Sequence, residues 1–228
     1  MCLPRRWKST CKIRKSTGRK GVREAGCRRL PLASCLLLLA SCLLASCSFP
    51  GRVKPTVKIG LSAPFEGRYR DLGYEVLYAV RLAVRQRNEA GGVGGRYLVE
   101  LVALNDFAEP TEAIWQAREM AADAGVLGVL GGWSAETAQA AAAEYKRLGL
   151  AFLAPEIDWT RIESQPQEPV NPDLAAGYTV LSGGAPPGQA ALWAYDATQR
   201  LLDALDAAVR AEGHPTRAAV RSALMAGP

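Results

Sequence analysis

Among 228 residues this chain carries a single histidine, His214. It stands beside Pro215 in a polar stretch near the C-terminus and reads as a solvated loop residue. Ser-His-Asp, Cys-His and multi-histidine zinc arrangements each need a partnered histidine, so all three lose support. Cysteine is absent beyond position 47: the six are Cys2, Cys11, Cys27, Cys35, Cys42 and Cys47. The remainder of the chain can form neither a disulfide nor a thiolate metal site, which leaves its redox compartment open.

The formal charge of +6 suggests nucleic acid, but it is unevenly placed. Residues 1–46 hold 11 Lys/Arg and one acid, Glu24, leaving 17 basic against 21 acidic residues downstream. The body is therefore mildly acidic, and a nucleic-acid partner loses its electrostatic basis.

What is present at the start is LASCLLLLASCLLASC (32–47), behind a long basic segment. A basic region, about a dozen apolar residues and small residues before a cysteine describe a secretory signal. The run is short for a membrane span, which needs about 20 apolar residues. Leu-Ala-Ser-Cys resembles the lipobox of bacterial lipoproteins, whose cysteine is lipidated and becomes the first mature residue. Cys35 has too little apolar chain before it, and Cys42 marginally enough. Cys47 has Leu36 to Leu44 behind it and the tether SFPGRVKP after it. The expected order is a signal peptide at 1–46 and a lipid-anchored tether at 47–55, with a short uncleaved anchor as the alternative.

From residue 56 the periodicity alternates. VKIGLS (57–62), RYLVELVALND (96–106), VLGVLGG (126–132) and LAFLAP (150–155) read as strands. Between them three stretches of 3.6 period read as helices: Leu72, Val76, Ala79, Val80 and Ala83; then Ala113, Ile114, Ala117, Met120, Ala121 and Ala124; then Ala138, Ala141, Ala142, Tyr145 and Leu148. The fold class is α/β, a parallel sheet with right-handed crossovers and helices on both faces. Ligands of such sheets lie beyond the C-terminal strand ends, here 63–70, 105–110, 132–137 and 155–160. GGVGGR (91–96) imitates a phosphate loop but follows a helix and precedes a strand, so it reads as a helix stop and turn.

Taken in order, VKIGLSAPFEGRYRDLGYE, NEAGGVGGRYLVELVALND and GVLGVLGGWSAETAQAAAAEYKRLGLAFLAP resemble the first lobe of type I periplasmic binding proteins. The nearest branch is the leucine/isoleucine/valine (branched-chain amino acid) binding group. PPGQAALWAYDATQRLLDAL (186–205) resembles a helix near that family's C-terminal end, where Tyr195 and Asp196 are expected to pack structurally. The resemblance implies a binding lobe at 56–156 and a C-terminal helical segment at 186–228 that packs back on it. A second lobe needs 100 residues or more, at about 30 per βαβ unit. Residues 157–185 are too few, and their Pro, Gly and polar content reads as a linker in place of that lobe. The second lobe is thus expected to be mostly missing.

The resemblance also implies a site. In this family the first lobe holds an amino acid's carboxylate at the start of the helix after the third strand, which here is Gly131 to Thr137. Trp133, Ser134 and Thr137 are the candidates there, and Ser134 reads equally well as a helix N-cap alone. Tyr69 and Leu72 match positions that lie over the ligand, and Tyr69 reads equally well as plain helix-start packing. After the fourth strand the family has small and hydroxyl residues, whereas this chain has Glu156 and Asp158. Two carboxylates favour an amine-bearing ligand, or are simply solvated.

What the resemblance implies overall is a membrane-anchored lipoprotein of the periplasm or cell surface. It would capture a small polar solute, an amino acid or relative, for an ABC permease. It would need no cofactor or metal and catalyse no reaction. The alternative is a ligand-sensing module of the same fold without a transport role. A flavodoxin-like or Rossmann enzyme is disfavoured, because APFEGRYRDLG after the first strand has no GxGxxG loop.

Overall fold

A computed structural model describes residues 53–168 and 171–226. The expected signal peptide and Cys47 lie outside the described residues. The sheet has four parallel strands: β1 (Thr56–Ala63), β2 (Leu98–Asn105), β3 (Val126–Leu130) and β4 (Ala151–Leu153). Their order is β2-β1-β3-β4. β1 pairs with β2 residue for residue, from Thr56 opposite Leu98 to Ala63 opposite Asn105. Since β2 and β3 lie on opposite sides of β1, the order reverses there, and the crevice of such a sheet opens at the strand ends beside that point.

Helix α1 (Arg70–Glu89) follows β1, α2 (Pro110–Ala122) follows β2, and α3 (Ala135–Leu148) follows β3. The strands are apolar on both sides because helices cover both. Val57, Ile59, Leu61 and Ala63 of β1 are buried with Val76, Val80 and Ala83 of α1. On the opposite face Ala113, Ala117 and Met120 of α2 pack with Ala141 and Tyr145 of α3 against Val126 and Val129. Gly60 permits that second layer: a Cβ there would stand 2.7 Å from Met120 Sδ and 2.9 Å from Val129 Cγ2. Of the predicted α3 stripe, Ala141 and Tyr145 are buried, while Ala142 is exposed and Thr137 takes an inward position. At the end of α1 the GGVGGR stretch turns the chain, with Gly92 N–H bonded to Arg87 O and Val93 bridging to Tyr97.

Residues 157–185 are more than a linker. They contain α4 (Pro172–Ser182), whose start is capped by the Asn171 side chain accepting from Asp173 N–H, and which Gly183 ends in the left-handed conformation. Leu174 and Tyr178 are buried against α1, and the Tyr178 hydroxyl donates to Glu75 O at 3.1 Å. Among the described residues no strand follows β4. The long α5 (Gln189–Glu212) then lies along α1, joined by Arg87 to Asp203 and Asp206 and by Tyr195 to Gln86. In α6 (Arg217–Ala226), Arg217 donates to the carbonyls of Ala121, Asp123 and Val126, securing the turn between α2 and β3.

Candidate ligand-binding rim

At the switch point the chain leaves β3 through Gly131 and Gly132 and enters α3 at Ser134. Gly132 has φ of 76°, and a Cβ there would meet the Ala138 Cα at 2.7 Å, so glycine lets the turn fold tightly over the helix. Ser134 and Thr137 form a reciprocal capping box. Ser134 Oγ accepts from Thr137 N–H at 3.1 Å, and Thr137 Oγ1 accepts from Ser134 N–H at 3.2 Å. Two of the helix's free N–H groups are thereby satisfied, a role worth about 1 kcal/mol for such a cap. Both side chains are buried. Trp133 is only 1% exposed: its Nε1–H donates to Ser62 O at 2.9 Å, and its ring meets Trp193 of α5 edge-on. It braces the turn rather than offering a ring face to solvent.

The segment after β4 folds across this helix start. Trp159 N–H donates to Trp133 O at 2.9 Å, and Asp158 Oδ2 accepts from Ala135 N–H at 3.1 Å. The other oxygen, Oδ1, accepts from Thr160 N–H and from Thr160 Oγ. Arg161 pairs with both Asp158 and Glu136. Burial alone would raise the Asp158 carboxyl; the bonds from Thr160 and Ala135 and the Arg161 charge outweigh it and hold the group below the usual carboxylate range. A carboxylate of the chain itself thus stands at the positive end of α3, where a helix favours an anion.

Beside it the end of β2 forms a second polar floor. Asp106, 1% exposed, accepts from Ser62 Oγ at 2.9 Å and from Ala108 N–H at 3.0 Å. Burial pushes its carboxyl up, against those bonds. Asn105 Oδ1 accepts from Phe65 N–H and Phe107 N–H, tying the β1 and β2 ends together. Phe107 and Ala108 both have positive φ, a costly conformation for side chains larger than glycine, and Phe107 is 45% exposed at this rim.

The structure therefore brings Trp133, Ser134, Thr137 and Asp158 into one cluster. Tyr69 and Leu72 are half-buried at the start of α1, with Arg68 over the Tyr69 ring. Glu156 is exposed on the segment that carries Asp158. Sequence reasoning places Asn105 and Asp106 within the 105–110 strand end but names neither as a site residue, although the Asn-Asp pair closing a strand was the available signal. Among the described residues no group of three or more His, Cys, Asp or Glu could hold a metal ion, and no helix is long and apolar enough to cross a membrane.

The profile of the periplasmic binding protein family matches residues 56–172, which include the whole sheet and every residue of this rim. The chain belongs to that family. Among relatives of this periplasmic binding protein, the leucine-, isoleucine-, valine-, threonine- and alanine-binding protein of Pseudomonas aeruginosa is 29% identical over 128 residues. A Leu/Ile/Val-binding protein homologue of Brucella melitensis is 31% identical over 97 residues. These alignments cover 56% and 42% of this chain but only 34% and 24% of the relatives, so the chain matches about a third of their length or less. The fold is shared with a putative branched-chain amino acid ABC transporter protein of Rhodospirillum rubrum, at a TM-score of 0.62 and 18% identity over 74% of this chain and 88% of that one. It is shared also with the substrate-binding protein LivJ of Streptococcus pneumoniae, solved with isoleucine, at a TM-score of 0.61 and 12% identity over 74% and 87%.

Proposed function

We propose that this periplasmic binding protein is an extracytoplasmic solute-binding lipoprotein of an ABC uptake system. In this reading Cys47 carries the lipid, 56–156 is the binding lobe, and 157–185 stands in place of a second lobe. The solute is an amino acid or relative, captured without covalent chemistry and passed to a membrane permease. The observation that carries the reading is the hydroxyl-capped start of α3 at the switch point, within the matched residues. Relatives named for leucine, isoleucine and valine support the solute class.

The same rim predicts weak capture. Tyr69 and Leu72 are proposed to cover the solute, Ser134 and Thr137 to shape the turn that receives its carboxylate, with Trp133 bracing it. Glu156 offers a partner for its ammonium. Asp158, however, already holds Ala135 N–H, and a solute must compete with it. One lobe also leaves a bound solute facing water on its other side. Calorimetry of the purified chain with L-leucine, L-alanine and L-threonine is expected to give saturable binding with Kd near or above about 0.1 mM, or −5.5 kcal/mol. No heat with any of them at about 10 mM, some hundredfold above that, overturns amino-acid capture. Micromolar or tighter binding overturns the single-lobe account.

A further inference from the structure

A groove of 580 Å³, lined by no residue of the α3 start, lies between the first turns of α1, α4 and the chain near Ser164 and Gly188. Its size falls within the range of small-molecule sites. Much of its wall comes from residues 164–188, the stretch that departs from a two-lobed plan. Tyr74, Tyr78 and Tyr178 form a continuous aromatic side: Tyr74 and Tyr78 lie 6.2 Å apart between centroids, and Tyr178 meets Tyr78 edge-on, also at 6.2 Å. Between them projects Glu75, whose Oε1 accepts from Ser164 Oγ at 2.8 Å and from Ala191 N–H at 3.1 Å. Backbone N–H groups of Gly188 and Ala190, at the start of α5, also face this carboxylate. Burial pushes the Glu75 carboxyl up, against those bonds.

The groove already shows what its aromatic face accepts. The guanidinium of Arg70, on an exposed side chain, sits 5.7 Å from the Tyr74 ring centroid. Tyrosine faces attract cations through the ring quadrupole, more strongly as water is excluded. A partly buried carboxylate beside such faces supplies the complementary charge, and the rings supply apolar contact for the body of a ligand.

We infer that this groove is a second ligand site, for an organic cation: an ammonium group carried on a small apolar or aromatic body. The ammonium reaches the groove side of the Glu75 carboxylate, and the body lies along Tyr74 and Tyr78, displacing Arg70. Glu75, Tyr74, Tyr78 and Tyr178 have no part in the proposed solute capture at the α3 turn, so either reading can fail without the other.

The test uses phenethylammonium as probe, its neutral isostere 2-phenylethanol as control, and calorimetry or tyrosine-region NMR of the full chain. Saturable phenethylammonium binding is expected, at least about tenfold tighter than 2-phenylethanol, which is the effect of about 1.4 kcal/mol. Glu75→Gln keeps an acceptor for Ala191 and Ser164 while removing the charge, and should weaken the probe about tenfold. Should that variant fail to fold, Tyr74→Ala, at a 37% exposed position, should weaken it several-fold. Arg70→Ala should strengthen binding, because it removes a competing cation. Equal binding of alcohol and ammonium, unchanged affinity in the Glu75 and Tyr74 variants, or no gain in Arg70→Ala overturns the proposal.

Discussion

Asp158 accepts a hydrogen bond from the backbone N–H of Ala135, 23 residues earlier, and so places a carboxylate on the first turn of α3. The reciprocal pair Ser134 and Thr137 satisfies neighbouring groups of the same turn from within the helix. One helix start is thereby closed twice, by its own capping box and by the chain returning from β4. That closure ties the turn down with the chain's own groups, and a solute arriving there meets a competitor.

Asp158→Ala removes that competitor and part of the cap. Stability is expected to fall by about 1 kcal/mol in urea denaturation at pH 7, the usual effect of losing a side-chain cap. Because the folded carboxyl lies below its ordinary 3.8, its contribution is complete above that pH and disappears as pH falls through the folded value. The stability difference between parent and variant should therefore vanish in acid. If the proposed capture uses Ala135 N–H, the same variant should bind L-leucine several-fold tighter. Lost stability with unchanged affinity would reduce Asp158 to a structural cap.

Much of this architecture was legible because its signals are local. VKIGLS and VLGVLGG are apolar on both faces, as strands between two helix layers must be, and they became β1 and β3. The Gly91-Gly92 stop and the Ser134 turn followed from chain conformation alone. α4 was missed although Asn171-Pro172 and Gly183 carry ordinary start and stop signals. The many prolines and glycines around them made the whole stretch read as linker, and only Leu174 and Tyr178 are buried to mark a face. The contact of Asp158 with Ala135 and the meeting of Tyr78 with Tyr178 join residues distant in sequence. Packing of β4 and α4 decides both, and no spacing rule reports it.

Asp106 offers a test of the opposite sign. Burial raises its carboxyl above the ordinary 3.8, so the folded chain holds this proton more tightly than the unfolded one. Its contribution is then greatest in acid and is lost as pH rises through the folded value. Asp106→Asn keeps an oxygen for Ala108 N–H and turns an N–H₂ toward Ser62 Oγ, with no charge to bury. At pH 7 it is expected to be as stable as the parent or up to about 1 kcal/mol more so. The fall in stability as pH rises from the ordinary 3.8 toward 7 should be shallower in the variant. Urea denaturation across that range measures both. A large loss at pH 7 would show that the ionised carboxylate itself is needed to hold the β1 and β2 ends.

Tyr145 is the largest polar side chain that the α2 and α3 layer buries. Its ring stacks on Phe152 at 4.6 Å between centroids, and its hydroxyl is buried with no hydrogen-bond partner among the described residues. Desolvation, and then the nearby Asp106 charge, push the phenol well above its ordinary range, so it stays neutral at any working pH. An unpaired buried hydroxyl costs about 1–3 kcal/mol. Tyr145→Phe keeps the stacked ring and deletes that group, so it should gain about 1 kcal/mol, or raise Tm by roughly 2–4 °C in a chain of this size. Tyr145→Leu should lose stability, because it gives up the stack together with the hydroxyl. A loss in Tyr145→Phe as well would place an internal water on the hydroxyl, and would make this layer wetter than its apolar lining suggests.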